Sequence, residues 1–533
     1  MKPATRCLLV YPEFRSESFW NYRATCSLVG ARYPAAPLGM ITVAALLPES
    51  WDLRLVDRNV EELTDTDIEW ADIVFAGGMI SQQAALIDLI ELIRERGKPI
   101  VVGGPDATSS PHLYHRATYL ALGEAEITLP RWLADFESGT LRHVYEAGEE
   151  LADVTGSPIP RFDLLKFNRY LHVGVQYARG CPFRCEFCDI IELFGRVPRV
   201  KGTDQMLAEL DRLHGLGYRG HVDFVDDNFI GNQKALTSSF LPDLKTWLEG
   251  KRWPFEFSTE ASINISDNET LLEMMQSVGF SAIFVGIESP DEDTLKATQK
   301  LQNTKRSIAD SVRKIYSYGI FVNCGYIVGF DTEHDGVADG ILHLIEASAV
   351  PVNMVGMLFA LPNTQLQKRL AKEGRLSDGF ELAPDGAGDQ CASGLNFETL
   401  RPRVDILRDY RRVIDESFAP DAYFERVLDV GSALDCSQKK LRLPLRYVLR
   451  DMRGLFTLLF RMGITKSYRG RFWRTLGKLL RRNPKGLRYS IAMMALYLHF
   501  GEFRHYLITR LSDEIGRQEN TAVAAPREEA ASV

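Results

Sequence analysis

Residues 177–190 read YARGCPFRCEFCDI, and three cysteines in this stretch show where the chemistry of the chain is concentrated. Cys181, Cys185 and Cys188 follow an apolar run, Val173 to Ala178, that we predict to be a β-strand. Spacings of three and two residues let a loop fold back so that three thiolates surround one face of an iron–sulfur cubane. Three ligands for four irons leave one iron open, so the stretch predicts a [4Fe–4S] cluster with a free coordination site.

Zinc is the nearest alternative ligand for these thiols. A structural zinc site takes four protein ligands, and no fourth Cys or His lies nearby, since His172 is predicted at the opposite end of the strand. The other five cysteines are scattered, which is typical of small buried apolar residues and not of a disulfide framework. They are Cys7, Cys26, Cys324, Cys391 and Cys436.

A series of βα units continues from the cysteine stretch, within the predicted domain 169–365. Six apolar runs alternate with five amphipathic helical patterns over about 190 residues, which predicts a curved partial (β/α)6 barrel rather than a closed barrel of eight units. The strands are predicted at Val173–Ala178, His221–Val225, Phe255–Glu260, Ala282–Glu288, Ile320–Val328 and Asn353–Ala360. The helices are predicted at Thr203–Gly217, Lys234–Leu248, Asn268–Gly279, Lys305–Tyr318 and Gly336–Ala349.

The first 140 residues form an α/β series of their own. Strands that are apolar on both faces alternate with amphipathic helices, which predicts a Rossmann-like domain over 1–140 with a doubly wound parallel sheet. Glycine pairs follow two of these strands, at Gly77-Gly78 and Gly103-Gly104. Ligands of such sheets bind beyond the carboxyl ends of the strands, so these glycines mark a candidate binding edge.

The rest of the chain divides by composition. We predict a linker over 141–168, a mainly helical basic region over 366–518 and a disordered tail over 519–533. The chain of 533 residues has a net charge of −8, yet Lys439 to Arg510 holds 18 Lys and Arg against Asp451 and Glu502. Apolar runs are too short to span a bilayer or to act as a secretory signal, so we expect a cytoplasmic protein.

The cysteine spacing, Phe187 before the third cysteine and the partial barrel resemble the radical S-adenosylmethionine (SAM) superfamily. The resemblance implies reductive cleavage of SAM to a 5′-deoxyadenosyl radical that abstracts hydrogen. It also implies SAM contacts at the ends of barrel strands. Asp226 and Asp227 would hold the SAM ammonium or a substrate group, or else cap the next helix. The other candidates for SAM contacts are Glu260, Ser262, Glu288 and Gly325.

A Rossmann-like domain before such a barrel resembles the cobalamin-binding class of the superfamily. In that class the corrinoid lies between the sheet edge and the barrel, so small residues are needed at the strand ends. The residues of this kind are Gly77, Gly78, Ser81, Gly103 and Gly104. One departure is that residues 56–60 read VDRNV, without the histidine that ligates cobalt in many cobalamin domains. The glycines do not form the dinucleotide motif G-x-G-x-x-G.

Three stretches, CEFCDI, GRVPRV and FVDDNFIGN, resemble the subgroup that contains the hopanoid C-2 methylase. That resemblance implies methyl transfer from cobalamin to an unactivated carbon of a hydrophobic hopanoid-, isoprenoid- or tetrapyrrole-like substrate. A non-methylating oxidative cyclase and a cobalamin- or redox-sensing binding protein are the alternatives. The N-terminal segment 11–39 is where substrate specificity could diverge.

Partners follow from the chemistry and from the charge. Cluster reduction calls for an external donor of the flavodoxin or ferredoxin type. The basic region, with Arg442, Arg446, Arg450 and Arg453 at helical spacing, either contacts an anionic membrane at its inner face or docks on the acidic remainder of the chain. We expect no nucleic-acid partner, since no known nucleic-acid-binding module accompanies the charge.

Overall fold

The computed structural model describes residues 4–14, 18–381, 391 and 394–524. The strands in this part of the chain are β1 (Arg6–Tyr11), β2 (Tyr33–Ala35), β3 (Asp52–Asp57), β4 (Ile73–Gly77), β5 (Ile100–Gly103), β6 (Tyr119–Leu122), β7 (Val144–Glu146), β8 (Tyr170–Val175), β9 (Ala178–Arg179), β10 (Arg199–Val200), β11 (Gly220–Phe224), β12 (Phe255–Glu260), β13 (Phe280–Glu288), β14 (Phe321–Val328) and β15 (Asn353–Met357).

The α-helices are α1 (Arg23–Cys26), α2 (Leu38–Leu46), α3 (Asp65–Trp70), α4 (Gln83–Glu95), α5 (Pro105–Ser109), α6 (Ala125–Ser138), α7 (Ile190–Phe194), α8 (Thr203–Gly215), α9 (Gln233–Ala235), α10 (Leu241–Gly250), α11 (Glu269–Val278), α12 (Glu292–Ala297), α13 (Ile308–Tyr316), α14 (Val337–Ser348), α15 (Gln365–Lys372), α16 (Arg403–Ser417), α17 (Pro420–Ala433), α18 (Leu445–Phe460), α19 (Arg469–Arg482) and α20 (Leu487–Ala524).

The N-terminal domain is a parallel sheet of six strands in the order β3-β1-β4-β5-β6-β7. Residues 7–10 of β1 are all buried because helices cover both faces of the sheet. The predicted boundary at residue 140 is wrong by one strand, since Leu120 of β6 pairs with Val144 of β7. The sequence signal was weak there because β7 has three residues and only its middle residue is buried.

The second sheet is a parallel half-barrel of seven strands in the order β15-β14-β13-β12-β11-β8-β2. The two end strands do not pair with each other, so the barrel stays open, and the predicted fold class is confirmed. The six predicted strands are present, and β2 adds a seventh strand from the N-terminal segment, with Tyr33 opposite Tyr170. The barrel and the C-terminal helices share one hydrophobic core.

The C-terminal region is helical from α15 onward, as predicted. Its last helix runs further than expected, because α20 continues to Ala524 although the tail was predicted to be disordered from residue 519. Residues 525–533 of that predicted tail lie outside the described residues. Across the described part of the chain, no helix combines the length and the apolar character needed to cross a membrane.

Candidate functional site

The cysteine loop, residues 180–198, connects β9 to β10, which pair antiparallel. Gly180 opens the loop with a φ of 93°, and a Cβ at this position would lie 2.9 Å from the carbonyl oxygen of Gly195. The amide of Cys181 donates to the same oxygen over 3.3 Å. A side chain at residue 180 would therefore prevent the two ends of the loop from closing.

Two aspartates after β11 anchor the start of this loop. Asp226 accepts hydrogen bonds from the amides of Tyr177 (3.0 Å) and Ala178, and Asp227 accepts one from the amide of Gly180 over 3.2 Å. Burial raises the pKa of Asp226 to about 8 and that of Asp227 to about 6. Asp226 is only 1% exposed, and both its oxygens accept hydrogen bonds from the backbone. It therefore positions the loop, whereas the sequence pattern predicted that it binds a ligand or caps a helix.

The three cysteines are free thiols, and Cys185 is near enough to Cys181 and Cys188 to influence the pKa of each. Burial raises the pKa of Cys181 and of Cys188, and a thiolate at Cys185 would raise each of them further. Amide groups approach two of the sulfurs: Asn228 Nδ2 lies 3.9 Å from Cys181 Sγ, and Gln302 Nε2 lies 3.7 Å from Cys185 Sγ. Such donors stabilise sulfur ligands when a cluster binds.

This donor set fits a cubane with three protein ligands. Among the described residues, no three His, Cys, Asp or Glu side chains converge on a point that could hold a single metal ion. A cubane does not need three side chains that converge on one metal ion, because each thiolate binds a different iron at a different corner.

A buried ion pair stands beside the cysteines. Lys300 Nζ lies 2.6 Å from Glu288 Oε1, and Glu288 adopts a φ of 68° where the register of β13 with β14 shifts. Burial lowers the pKa of Lys300, but Glu288, Cys185 and Cys188 raise it by more, so the ammonium stays charged. The ammonium also lies 5.9 Å from the ring centre of Phe187, within the cysteine loop.

We expect Lys300→Met to make the reduction potential of the reconstituted cluster more negative. A nearby cation favours the state that carries the additional electron, and the substitution also leaves Glu288 unpaired. Redox titration followed by electron paramagnetic resonance measures the shift, and Lys300→Arg, which keeps the charge, is the control. Equal potentials for the wild type and Lys300→Met would contradict the expectation.

Two predicted SAM contacts lie at the end of β12. Glu260 has an exposed side chain, yet the surrounding protein and the carboxylates of Asp223, Asp227 and Asp226 raise its pKa to about 8. Exposure together with desolvation is typical of a carboxylate on the wall of a concave, accessible space. Ser262 donates its amide and hydroxyl protons to Asn228 Oδ1 (3.2 and 3.3 Å), so it is linked to the cysteine loop through that amide.

Gly325, the remaining predicted SAM contact, lies in β14 beside Phe284. A Cβ at Gly325 would lie 3.0 Å from Cζ of the Phe284 ring. The missing side chain at Gly325 thus leaves room for the ring of Phe284. A contact between Gly325 and the adenine of SAM stays a prediction.

A cavity of about 610 Å³ lies between the carboxyl ends of the two sheets. The N-terminal domain contributes Gly77, Gly78, Gly103 and Gly104 to the lining, and their contact with a corrinoid stays a prediction. Ser81, also predicted to bind cobalamin, is not among the residues that line the cavity, although its neighbour Ile80 is. The barrel side includes Gln176, Arg179, Asp227, and Asp189 and Ile190, which directly follow the third cysteine.

A network of buried ion pairs that sequence reasoning missed joins the two domains at this cavity. Arg179, two residues before Cys181, pairs with Glu124 over 2.8 Å and with Glu126 over 2.7 Å, and Arg199 also pairs with Glu124 over 2.8 Å. Burial would raise the pKa of Glu126, but the hydrogen bonds and charge of Arg179 outweigh it and hold the pKa at about 2.

We expect Arg179→Met to lower the free energy of unfolding by about 3 to 5 kcal/mol at pH 7.5, because it leaves the buried carboxylate of Glu126 without a counter-ion, whereas Glu124 keeps Arg199. In the wild type, the depressed pKa of Glu126 contributes stability above its ordinary pKa of 4.5, and this is lost as the pH falls toward 2. In the variant, burial without the arginine would raise the pKa of Glu126 above its ordinary value. The difference in the free energy of unfolding between the wild type and the variant should therefore be smaller at pH 5 than at pH 7.5.

Urea unfolding at the two pH values measures this difference. Arg96→Met, which breaks the exposed pair with Asp65, is the control, and its effect should stay below about 1 kcal/mol. An equally small effect at Arg179 would contradict the assignment of the network to the domain interface.

Known proteins share this combination of loop, barrel and preceding domain. The profile of the radical SAM superfamily matches residues 175–345, and a domain of unknown function (DUF4070) matches residues 364–512. An uncharacterized methyltransferase of Synechocystis sp. is 40% identical over 97% of this chain and 96% of its own. The hopanoid C-2 methylase of Rhodopseudomonas palustris is 34% identical over 90% of this chain and 91% of its own.

Two solved structures share the fold across both domains. The cobalamin-dependent SAM radical enzyme OxsB with aqua-cobalamin bound aligns with a TM-score of 0.59 at 17% identity, over 98% of this chain and 82% of its own. The radical SAM methyltransferase TsrM from Kitasatospora setae, with cobalamin and a [4Fe–4S] cluster bound, aligns with a TM-score of 0.57 at 14% identity, over 89% and 99%.

The loop, the half-barrel and the domain before it thus define a radical SAM enzyme. The chain belongs to this superfamily and, within it, to the family that contains the hopanoid C-2 methylase. The predicted resemblance and enzyme class, a methyltransferase of the cobalamin-dependent radical SAM type, are confirmed. A [4Fe–4S] cluster, SAM and cobalamin are the cofactors of this class.

Proposed function

We propose that the chain transfers a methyl group to an unactivated carbon of a hydrophobic polycyclic or isoprenoid-like molecule. The observation that supports this most is the cavity shared by the two domains. One wall is the glycine-rich strand ends of the N-terminal sheet, and the opposite wall includes Asp189 and Ile190, next to Cys188. A corrinoid in this cavity would lie beside a cluster held by the cysteine loop.

The residues of the chain have distinct tasks in this proposal. Cys181, Cys185 and Cys188 would hold the cluster, and Asp226 and Asp227 fix the loop that carries them. Gly77, Gly78, Gly103 and Gly104 would leave room for the corrinoid, while Glu260, Ser262, Glu288 and Gly325 are candidates for contacts with SAM. When bound, the cluster and SAM supply a hydrogen-abstracting radical, and cobalamin supplies the methyl group.

The residues that stand where many cobalamin domains carry a histidine also bear on the proposal. The strand end where many cobalamin domains carry histidine holds Asp57, which accepts from Asn59 over 2.9 Å and from Tyr170 of the barrel over 2.9 Å. Among the described residues that line the cavity, none is a histidine. We therefore infer that no histidine in the described part of the chain is placed to ligate a corrinoid in this cavity.

The products distinguish methyl transfer from the two alternatives. With reductant, SAM and substrate, we expect anaerobically reconstituted enzyme to form both 5′-deoxyadenosine and S-adenosylhomocysteine. An oxidative cyclase would form 5′-deoxyadenosine alone, and a sensing protein would bind its cofactors without turnover. Absence of S-adenosylhomocysteine from a complete reaction would count against the proposal.

We also infer a cytoplasmic enzyme that takes electrons from a flavodoxin- or ferredoxin-type donor and contacts the inner face of the membrane. Some basic residues of the C-terminal region pair with acidic residues of the chain, as Arg488 does with Glu256 over 3.0 Å. In contrast, Arg453, Arg481 and Arg482 are exposed and have no ion-pair partner among the described residues. The unpaired cations support membrane contact.

A further inference from the structure

Helix α18 carries a stripe of large apolar side chains that are exposed to solvent. The exposed fractions are 71% for Leu445, 61% for Leu449, 44% for Met452, 64% for Phe456 and 58% for Phe460. At 3.6 residues per turn, these five positions fall within an arc of about 80°. Large contiguous apolar surfaces of this kind mark interaction sites in soluble proteins.

The opposite face of α18 fixes the direction of this apolar stripe. Gly454 and Leu458 are buried, and a Cβ at Gly454 would lie 3.0 Å from the carbonyl oxygen of Leu28. Arg461, just after the helix, donates to Ser27 Oγ over 3.0 Å. The helix is therefore held against the N-terminal segment, and the apolar stripe faces away from the protein.

Positive charge borders the stripe on one side. Arg446, Arg450 and Arg453 are exposed and fall on the adjoining arc of the helix. Helix α19 adds exposed Trp473 (46%) and Leu480 (51%) among further Lys and Arg residues. An apolar stripe beside a basic arc is the pattern of helices that lie in the interface of anionic membranes.

We propose that α18 docks on an anionic bilayer, with the apolar stripe among the acyl chains and the arginines at the level of the lipid phosphates. This rests on the proposed function, because a lipid-soluble substrate would be reached from that surface. A second copy of the chain that packs antiparallel fits less well, since this symmetric contact would bring two arginine arcs together.

The structure connects this docking surface to the barrel by a short path. The N-terminal segment that packs on α18 continues back to Trp20, whose ring centre lies 5.7 Å from that of Phe284. Phe284 is in register with Glu260, the carboxylate at the end of β12. Docking would thus leave only the N-terminal segment that contains Trp20 and Leu28 between the bilayer and the candidate site.

Flotation with phosphatidylcholine vesicles that contain phosphatidylglycerol tests the proposal on the full chain. The wild type should float with these vesicles and not with pure phosphatidylcholine. Phe456→Gln combined with Phe460→Gln should weaken binding by at least about tenfold, since each exposed ring loses its burial in lipid. Leu400→Gln, at a residue that is 67% exposed elsewhere, is the matched control and should bind as the wild type does.

Two results would overturn the proposal: equal flotation of the double variant and the wild type, or a wild-type dimer that the double variant splits without any vesicle binding. S-adenosylhomocysteine formation with substrate in detergent micelles separates this proposal from the proposed function. The double variant should keep that activity. A wild type that floats but forms no S-adenosylhomocysteine would contradict the proposed function alone.

Discussion

Cys185→Ala should abolish both iron binding and SAM cleavage, because two thiolates cannot hold a cubane with one open iron. Cys185 is the central ligand in sequence, is buried, and affects the pKa of both other cysteines. We expect the iron content of anaerobically reconstituted protein to fall to background, and 5′-deoxyadenosine to become undetectable. Iron analysis and chromatography of the reaction measure the two effects.

Cys436→Ala is the matched control, since Cys436 is also buried but lies in the C-terminal region. This variant should keep its iron and its SAM cleavage. If Cys185→Ala retained either property at the level of Cys436→Ala, the assignment of the cysteine loop would be wrong.

Gly39→Phe should remove corrinoid binding while leaving the cluster intact. Gly39 lies in the first turn of α2 and lines the shared cavity, and no protein atom outside its neighbourhood lies within 4 Å of a Cβ built there. We therefore expect a benzyl group at this position to extend into the cavity, and phenylalanine is a better helix former than glycine. We expect the dissociation constant for cobalamin to rise by roughly a hundredfold or more, about 2.7 kcal/mol.

The absorption spectrum of bound cobalamin measures this loss, and iron content shows that the cluster remains. The control is Gly516→Phe, at a helical glycine of α20 that also has open space around its Cβ. Unchanged cobalamin affinity in Gly39→Phe would mean that the corrinoid binds elsewhere. Loss of S-adenosylhomocysteine with retained 5′-deoxyadenosine would agree with the proposed division of roles.

Most of the fold of this chain could be predicted from local sequence patterns. Parallel strands that are buried on both faces, such as β13 and β14, appear as apolar runs, and their helices show clear amphipathic periodicity. Short strands were not predicted because their pairing is long-range. Strand β2 has three residues, one of them proline, and is defined by its pairing with β8 some 137 residues later (Tyr33 with Tyr170). The same reason explains why β7 was assigned to a linker.

The residues of the candidate site likewise fall into those that local sequence patterns predicted and those that only long-range contacts bring together. The cysteines were visible because their spacing is local, and the glycine pairs because they end strands. Lys300 was not, since it reaches the cysteine loop from a turn after α12, more than a hundred residues along the chain. Asp226 illustrates the opposite error: its place after β11 was predicted correctly, but only the structure shows that two backbone amides occupy its oxygens.

Isotope labelling shows whether an intact methyl group passes from SAM to a carbon of the substrate. Enzyme reconstituted with cluster and cobalamin would be incubated anaerobically with methyl-deuterated SAM, a reductant, and lipid and pigment extract from a strain that lacks the gene. Methyl transfer should give one hydrophobic product that carries a trideuteromethyl group on carbon. Formation of 5′-deoxyadenosine with no deuterium in any extractable product would contradict it.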